Sequence, residues 1–339
     1  MRNEHNYSLI HHNTFHLPVK TRWFIEYNNE EELLNIIRDS FFRENRSLSI
    51  GEGSNLLFIN DFDGVILHSC IKGMSVIDDT PDSVLLRTGA AERWDDVVAF
   101  AVSKGWGGVE NLSLIPGVVG AAVVQNVGAY GVEIKDVIET VEAYNQLTGK
   151  KHVFTNEACQ FSYRQSYFKE VADYDPHVIT SVHLRLQKKP QFKLDYGNLS
   201  QVLRNRKITL QTIRDTIIEV RRSKLPDPEV LSNAGSFFVN PVISQQQFHD
   251  LKNRFPTIPS FQASEGTVKI PAGWLIEQCG FKGKREGNVG VYEKQALIIV
   301  NHGGATGDEI ATFAHKICSV VNDTFGIMLV PEVKVVVSD

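Results

Sequence analysis

The chain has 339 residues and no apolar run near the roughly 20 that a helix needs to span a bilayer. Its opening, residues 1–20, is polar and rich in histidine, without the apolar core of a secretory leader. A soluble, cytoplasmic protein with no membrane partner is therefore expected. Cysteines are few: Cys70, Cys159, Cys279 and Cys318 lie far apart, with no C-x-x-C and no zinc-ligand spacing. Reduced structural thiols and no metal are expected. Charge of one sign is also lacking, with 35 Lys+Arg against 40 Asp+Glu and a net −5. Such a balance offers no general attraction to nucleic acid, so an anionic ligand must be held by local cations. No internal repeat or low-complexity tract is present. A monomer or weak oligomer is expected.

What is present is enough apolar content, 42%, for real cores. Residues 22–27 read as a strand. Asn29 with Glu32 three positions later reads as a helix cap and its capping-box partner, ahead of an apolar face of Leu33, Leu34, Ile36, Ile37 and Phe41. Short strands are expected at 47–50, 56–59, 65–67 and 83–88, a helix over 92–104 and a hairpin over 137–154. A strand at 178–186 and a helix carrying Leu210, Ile213, Ile217 and Val220 follow, the helix stopped by Pro226 and Pro228. Beyond them the order changes to a compact α+β unit, with strands at 236–239 and 296–301 and helices at 244–254, 272–278 and 308–323. The last strand, 327–337, could return to an earlier sheet. The proline-rich stretch 225–228 marks the domain boundary.

Two glycine loops suggest phosphate chemistry. Gly51-Glu52-Gly53-Ser54-Asn55 lies between two strands, where glycines let the backbone approach a phosphate and present N–H groups to it. It lacks the third glycine and the following helix of a dinucleotide fingerprint, and no Gly-Lys-Ser/Thr exists; a plain strand–turn–strand reading competes. The second loop, residues 115–131, spaces Gly117 and Gly120 for a helix start on which a diphosphate or flavin edge could rest. Close helix–sheet packing is the bland alternative there.

Seven stretches taken together resemble the UDP-N-acetylenolpyruvoylglucosamine reductase family: GEGSNLLF (51–58), IPGVVGAAVVQNVGAYG (115–131), FSYRQSYFK (161–169), RRSKLPDP (221–228), NAGSFFVNP (233–241), AGWLIEQCG (272–280) and PEV (331–333). They run in order through nearly the whole chain. The resemblance implies an α+β, three-domain flavoprotein: a vanillyl-alcohol-oxidase-type (PCMH-like) FAD-binding fold plus a C-terminal α+β substrate domain. The implied division is 1–75 with 327–339, then 76–225, then 226–326. It implies non-covalently bound FAD, NADPH as hydride donor and a UDP-sugar substrate, reduced on the way to peptidoglycan. The segment around Tyr196 resembles the branch of the family with a tyrosine-bearing closing loop.

The same resemblance assigns roles. Ser236 matches the proton donor, although a serine beside two phenylalanines is ordinarily structural. Arg164 and Glu332 match a pair near the substrate carboxyl, where a guanidinium suits a bidentate clamp on developing charge. The bland reading of Glu332 is a solvated charge between strand residues. FAD contacts fall on Gly51, Glu52, Gly53, Ser54, Asn55, Pro116, Gly117, Gly120, Gln125, Asn126, Gly128, Ala129, Ile179 and Arg221. Substrate contacts fall on Tyr130, Tyr196, Lys224, Asn240 and Gln295. Phe261 stands where the related branch has its loop tyrosine, which leaves the ring but removes a hydroxyl. Two other functions compete: a flavin oxidase of the same fold, whose relatives often tether FAD through His or Cys, neither of which occurs in 51–59; and a nucleotide-sugar binder without catalysis, which needs no proton donor.

Overall fold

The computed structural model describes residues 1–195, 199–263 and 265–338. The chain forms two compact units: Met1–Tyr7, Thr21–Glu52 and Asp63–Ser223 in one, and Ser8–Lys20, Gly53–Phe62 and Lys224–Asp339 in the other. Both mix helix and strand.

The first unit is built on an antiparallel five-stranded sheet with spatial order Lys151–Thr155, Ile138–Asn145, His177–Gln187, Ser83–Gly89, Met74–Asp79. Its central strands read HVITSVHLRLQ and SVLLRTG, whose alternating Val182, Leu184, Leu186 and Val84, Leu86 are fully buried. Those side chains pack on the helix Trp94–Ser103 through Trp94, Val97, Val98 and Ala101. A second sheet orders Arg2–Ser8, Lys20–Tyr27, Phe62–Ser69 and Ser47–Ile50. Against it the helix Glu30–Arg38 packs Leu33, Ile36 and Ile37. Asn29 caps that helix by accepting the Glu32 N–H at 2.8 Å, but the Glu32 carboxylate returns to the N–H of Asn28 at 2.8 Å, one residue before the expected partner. Asp39 ends the helix and caps another, Ser40–Glu44, so the single apolar face expected through Phe41 is split into two short helices.

The second unit orders Ser232–Ser236, Ile298–Asn301, Val289–Val291 and Arg285–Glu286 in one sheet. The helix Gly307–Phe325 buries Ile310, Phe313, Ala314, Ile317 and Val321, with a Thr306/Glu309 capping box at its start. A three-stranded sheet of Val242–Ser244, Thr267–Lys269 and Phe261–Gln262 stands apart from that sheet in hydrogen bonding.

Two further expectations need correcting, and one strand was not foreseen. The strand placed at 236–239 ends at Ser236, after a register shift between Asn233 and Ser236, and Phe237 and Phe238 beyond it are buried. The long terminal strand shrinks to Lys334–Val336, which pairs in parallel with Leu56–Phe58 as a separate two-stranded sheet. Arg2–Ser8 is a strand that no apolar alternation announced, since most of its side chains face solvent.

Candidate active site

In the first unit the second glycine loop leads into a short helix, Val119–Val124. The loop's N–H groups are largely engaged by the protein: Gly117 N–H donates to Glu52 Oε2 at 3.0 Å, and Gly120 N–H donates to Ala90 O at 2.9 Å. A Cβ on Gly120 would stand 3.1 Å from that of Ala90, so close helix packing is part of its role. Pro116 is exposed at the loop tip. Glu52, fastened to Gly117, also pairs through Oε1 with Arg93 Nε at 2.9 Å. Gly51 packs under Val118, where a Cβ would meet Cγ2 at 2.6 Å.

Beyond the helix, Gly128–Ala129 and Val132–Glu133 pair around Tyr130 and Gly131. Both turn residues have positive φ, 49° and 78°, the geometry of a type I′ turn, in which Asn or Gly is usual and a tyrosine costs strain. Asn126, fully buried at φ 41°, donates from Nδ2 to the Ser162 carbonyl at 2.8 Å. Ser162 and Gln165 exchange backbone hydrogen bonds at 3.1 Å, closing a tight turn with Arg164 at its tip. Arg164 Nη2 donates to Gly128 O at 2.7 Å, so the loops bearing Arg164 and Tyr130 are tied together. Lys169, whose role the sequence did not disclose, donates from Nζ to Gln125 Oε1 at 3.2 Å and to Arg164 O at 3.0 Å. Its signal was its place five residues after Arg164, behind the Ser166 cap of the helix Tyr167–Glu170.

Asp95 and Arg214 form a bidentate pair at 2.7 and 2.9 Å. Burial works to raise the Asp95 pKa, but the Arg214 fork and the Leu114 N–H outweigh it and hold the carboxyl below the usual range. Arg221, about two turns further along the same face of Leu210–Lys224, is different. Burial pulls its pKa down, with Tyr130 and Asp95 opposing the shift, and its buried Nε has no hydrogen-bond partner among the described residues. A buried guanidinium donor unmatched among those residues fits a ligand rich in carbonyl or phosphate oxygens, which is what FAD presents. Ile179 is 7% exposed within the core and offers no open face.

In the second unit, Asn233 pairs with Val300 and Ser236 with Ile298, a bulge that sets two residues against one. Gly235 carries it at φ 70°, with its N–H held by Asn233 Oδ1 at 2.9 Å. The bulge re-aims Ser236, which is half-buried, while Phe237 and Phe238 stay inside. Residues 330–332 then run antiparallel to 237–239: Val239 N–H donates to Val330 O at 3.0 Å and Glu332 N–H to Phe237 O at 2.8 Å. Ser236 and Glu332 are brought together in this way across nearly a hundred positions. Asn55 holds the far side of Glu332, donating from Nδ2 to its carbonyl at 3.1 Å, and accepts the Lys334 N–H at 3.0 Å. Gly53 backs onto the His12 carbonyl, where a Cβ would overlap it, and Ser54 is half-buried beside it.

Asn240 and Gln295 converge on the start of the helix Ala272–Gln278. Asn240 Oδ1 accepts the Ala272 N–H at 2.9 Å, and Gln295 Oε1 lies 3.1 Å from a Cβ built on Gly273. Lys224 is exposed at the end of its helix. Phe261 is 42% exposed on the short strand Phe261–Gln262, opposite Lys269, which removes it from any core. Tyr196 lies outside the described residues. Arg164 belongs to the first unit, Ser236 and Glu332 to the second.

Residues 22–154 match the family model of an FAD binding domain, so the class is that of an FAD-binding flavoprotein. Residues 227–336 match the UDP-N-acetylenolpyruvoylglucosamine reductase C-terminal domain. The chain is 51% identical over 331 residues to the UDP-N-acetylenolpyruvoylglucosamine reductase of Porphyromonas gingivalis, covering 97% of this chain and 98% of that one. It is 46% identical to that of Bacteroides fragilis, covering 97% and 99%. The crystal structure of the Thermus caldophilus enzyme of that name superposes with a TM-score of 0.70 over 99% of each chain at 23% identity, a likeness of fold. The chain belongs to the UDP-N-acetylenolpyruvoylglucosamine reductase family.

Proposed function

We propose that this protein reduces UDP-N-acetylenolpyruvoylglucosamine to UDP-N-acetylmuramate in peptidoglycan precursor synthesis. It would do so in the cytoplasm as a monomer or weak oligomer, with NADPH as hydride donor. The observation that carries the reading is the backbone pairing that fixes Glu332 beside the Ser236 segment, in a chain of this family with an FAD-binding domain. No described helix is long and apolar enough to cross a membrane, which is compatible with that location.

Bound FAD would supply the hydride chemistry for the enolpyruvyl ether, with NADPH as the source of electrons. Arg221, Asn126, Gln125 and Ala129, with the backbone of the two glycine loops, would hold it. Arg164 orients the substrate carboxylate and stabilises the charge that grows on it as the α-carbon becomes enolate-like. Ser236 Oγ delivers the proton to that carbon. A hydroxyl is acid enough here because the enolate is far more basic than a carboxylate. Glu332, beside the Ser236 segment, orients the donor. Lys224, Asn240, Gln295, Tyr130 and Tyr196 take the sugar nucleotide, and Phe261 covers it with an apolar ring. The three-part division, with 226–326 as the substrate-binding part, belongs to the same reading.

An absorbance experiment separates the readings. Purified protein should be yellow, should bleach with NADPH without oxygen, and should regain colour only with the enolpyruvyl sugar. Acid or heat should release FAD to the supernatant. Colour recovered by oxygen with an alcohol as reductant identifies an oxidase; a colourless preparation that takes up no FAD identifies a binder. Either result removes the reductase.

A further inference from the structure

Three metal-capable side chains converge on one face of the second sheet of the first unit. Lys20–Tyr27 and Phe62–Ser69 are neighbouring strands, and Cys70 continues the latter by donating its N–H to Tyr27 O at 2.8 Å. Because side chains alternate along an extended chain, His68 and Cys70 point to the same side. Glu26, on the neighbouring strand, meets them there. His68 Nδ1 lies 3.0 Å from Glu26 Oε1, and Cys70 Sγ lies 4.0 Å from each of those atoms.

We propose that Glu26, His68 and Cys70 bind one Zn²⁺ ion, or a borderline divalent cation like it, with solvent as the fourth ligand. Tetrahedral zinc, with bonds of about 2.0 Å to nitrogen and oxygen and about 2.3 Å to sulfur, sets its ligand atoms about 3.3–3.6 Å apart. The three observed spacings bracket that range, so movements of about 0.5 Å, within rotamer adjustment, would seat the ion. The mixed N, S and O donor set suits zinc and not magnesium or calcium, which take oxygen ligands. Arg2 Nη1 holds the other oxygen of Glu26, Oε2, at 3.3 Å, which leaves Oε1 turned to the histidine and the thiol. A hydrogen bond to the non-ligating oxygen orients a ligating carboxylate. The Glu26 and His68 side chains are 20% and 19% exposed, which gives the ion an entry path and a water. Cys70 binds as its thiolate and releases a proton to solvent. None of the three is assigned to flavin or sugar nucleotide, so the site stands or falls independently of the proposed reaction.

The bland account is a histidine–glutamate pair with a bystander thiol. Calorimetric titration of the chelator-dialysed flavoprotein with ZnCl₂ decides between them. The wild type should bind one more Zn²⁺ than Cys70→Ser or His68→Gln, and MgCl₂ should give no signal. The histidines near residue 5 to 16 are controlled by a local readout: Zn²⁺ should slow alkylation of Cys70 at least tenfold by peptide mass spectrometry. Co²⁺ should give long-wavelength d–d absorption beyond the flavin bands that Cys70→Ser lacks. Equal zinc stoichiometry and affinity in wild type and both variants, or unchanged Cys70 alkylation with zinc, overturns the site. The variants are expected to melt with the wild type in chelator; should Cys70→Ser not fold, His68→Gln and the wild-type alkylation carry the decision.

Discussion

Arg164 donates from Nη2 to the carbonyl of Gly128 at 2.7 Å while its own backbone sits at φ 57°, a conformation that favours glycine. The side chain is thus held by one loop and displayed by the strain of another. Arg164→Gly and Arg164→Ala both lose the guanidinium, but glycine accepts the backbone conformation. The glycine variant should therefore be more stable than the alanine variant by about 1 kcal/mol, read as a higher Tm, with both inactive. Arg164→Lys keeps the charge and loses the planar fork; turnover should collapse while flavin reduction by NADPH persists. Near-normal turnover in the lysine variant would remove Arg164 from the carboxylate.

Lys169 is a positioning residue in this arrangement, since Nζ fastens both Gln125 and the Arg164 carbonyl. Lys169→Met should lower kcat about tenfold and raise KM for the enolpyruvyl sugar, with flavin content unchanged. Lys169→Arg should recover part of the loss. A lower Tm with unchanged kinetics would make the lysine merely structural.

Ser236→Ala should separate the half-reactions. Loss of a general acid costs about 100-fold or more, and that loss should appear when reduced enzyme meets substrate. Bleaching by NADPH should be almost untouched. Equal slowing of both halves would mean that the bulge at Gly235, and not proton delivery, was damaged.

Asp95 has its pKa depressed by Arg214 and the Leu114 N–H in spite of burial. Its ionised form therefore stabilises the fold fully above the ordinary Asp value near 4, and that stability is lost as pH falls through the lower, folded value. Asp95→Asn should cost about 2 kcal/mol at neutral pH, below the figure for a fully buried pair, because the side chain is 29% exposed. Thermal melts should show the gap between wild type and variant close below pH 4. A gap that stays constant down to pH 2 would show that the charge is not the source.

Phe261, 42% exposed, is tested as apolar cover for the sugar nucleotide. Phe261→Tyr restores a donor and should tighten substrate binding several-fold, since a hydrogen bond to a charged group contributes about 1.5–3 kcal/mol before solvent competes. Phe261→Ala should weaken binding with little change in Tm. Unchanged dissociation constants in both variants would place the strand away from the substrate.

Local pattern determined a great deal here. The helix Trp94–Ser103, the hairpin of Ile138–Asn145 and Lys151–Thr155, and the helix stopped before Pro226 are legible because alternation, caps and prolines act over a few residues. The seven motifs likewise disclosed the family, since each is contiguous. What only tertiary structure decided depends on pairing between distant segments. The Glu332 N–H meets Phe237 O because two distant stretches, each legible by itself as a possible strand, supply each other's backbone partners, a pairing that no local pattern names. Gly117 and Gly120 donate their N–H groups to Glu52 and Ala90, partners that the loop's own sequence does not name. Glu26, His68 and Cys70 have no metal spacing in sequence, because register between strands, and not distance along the chain, sets which side chains meet.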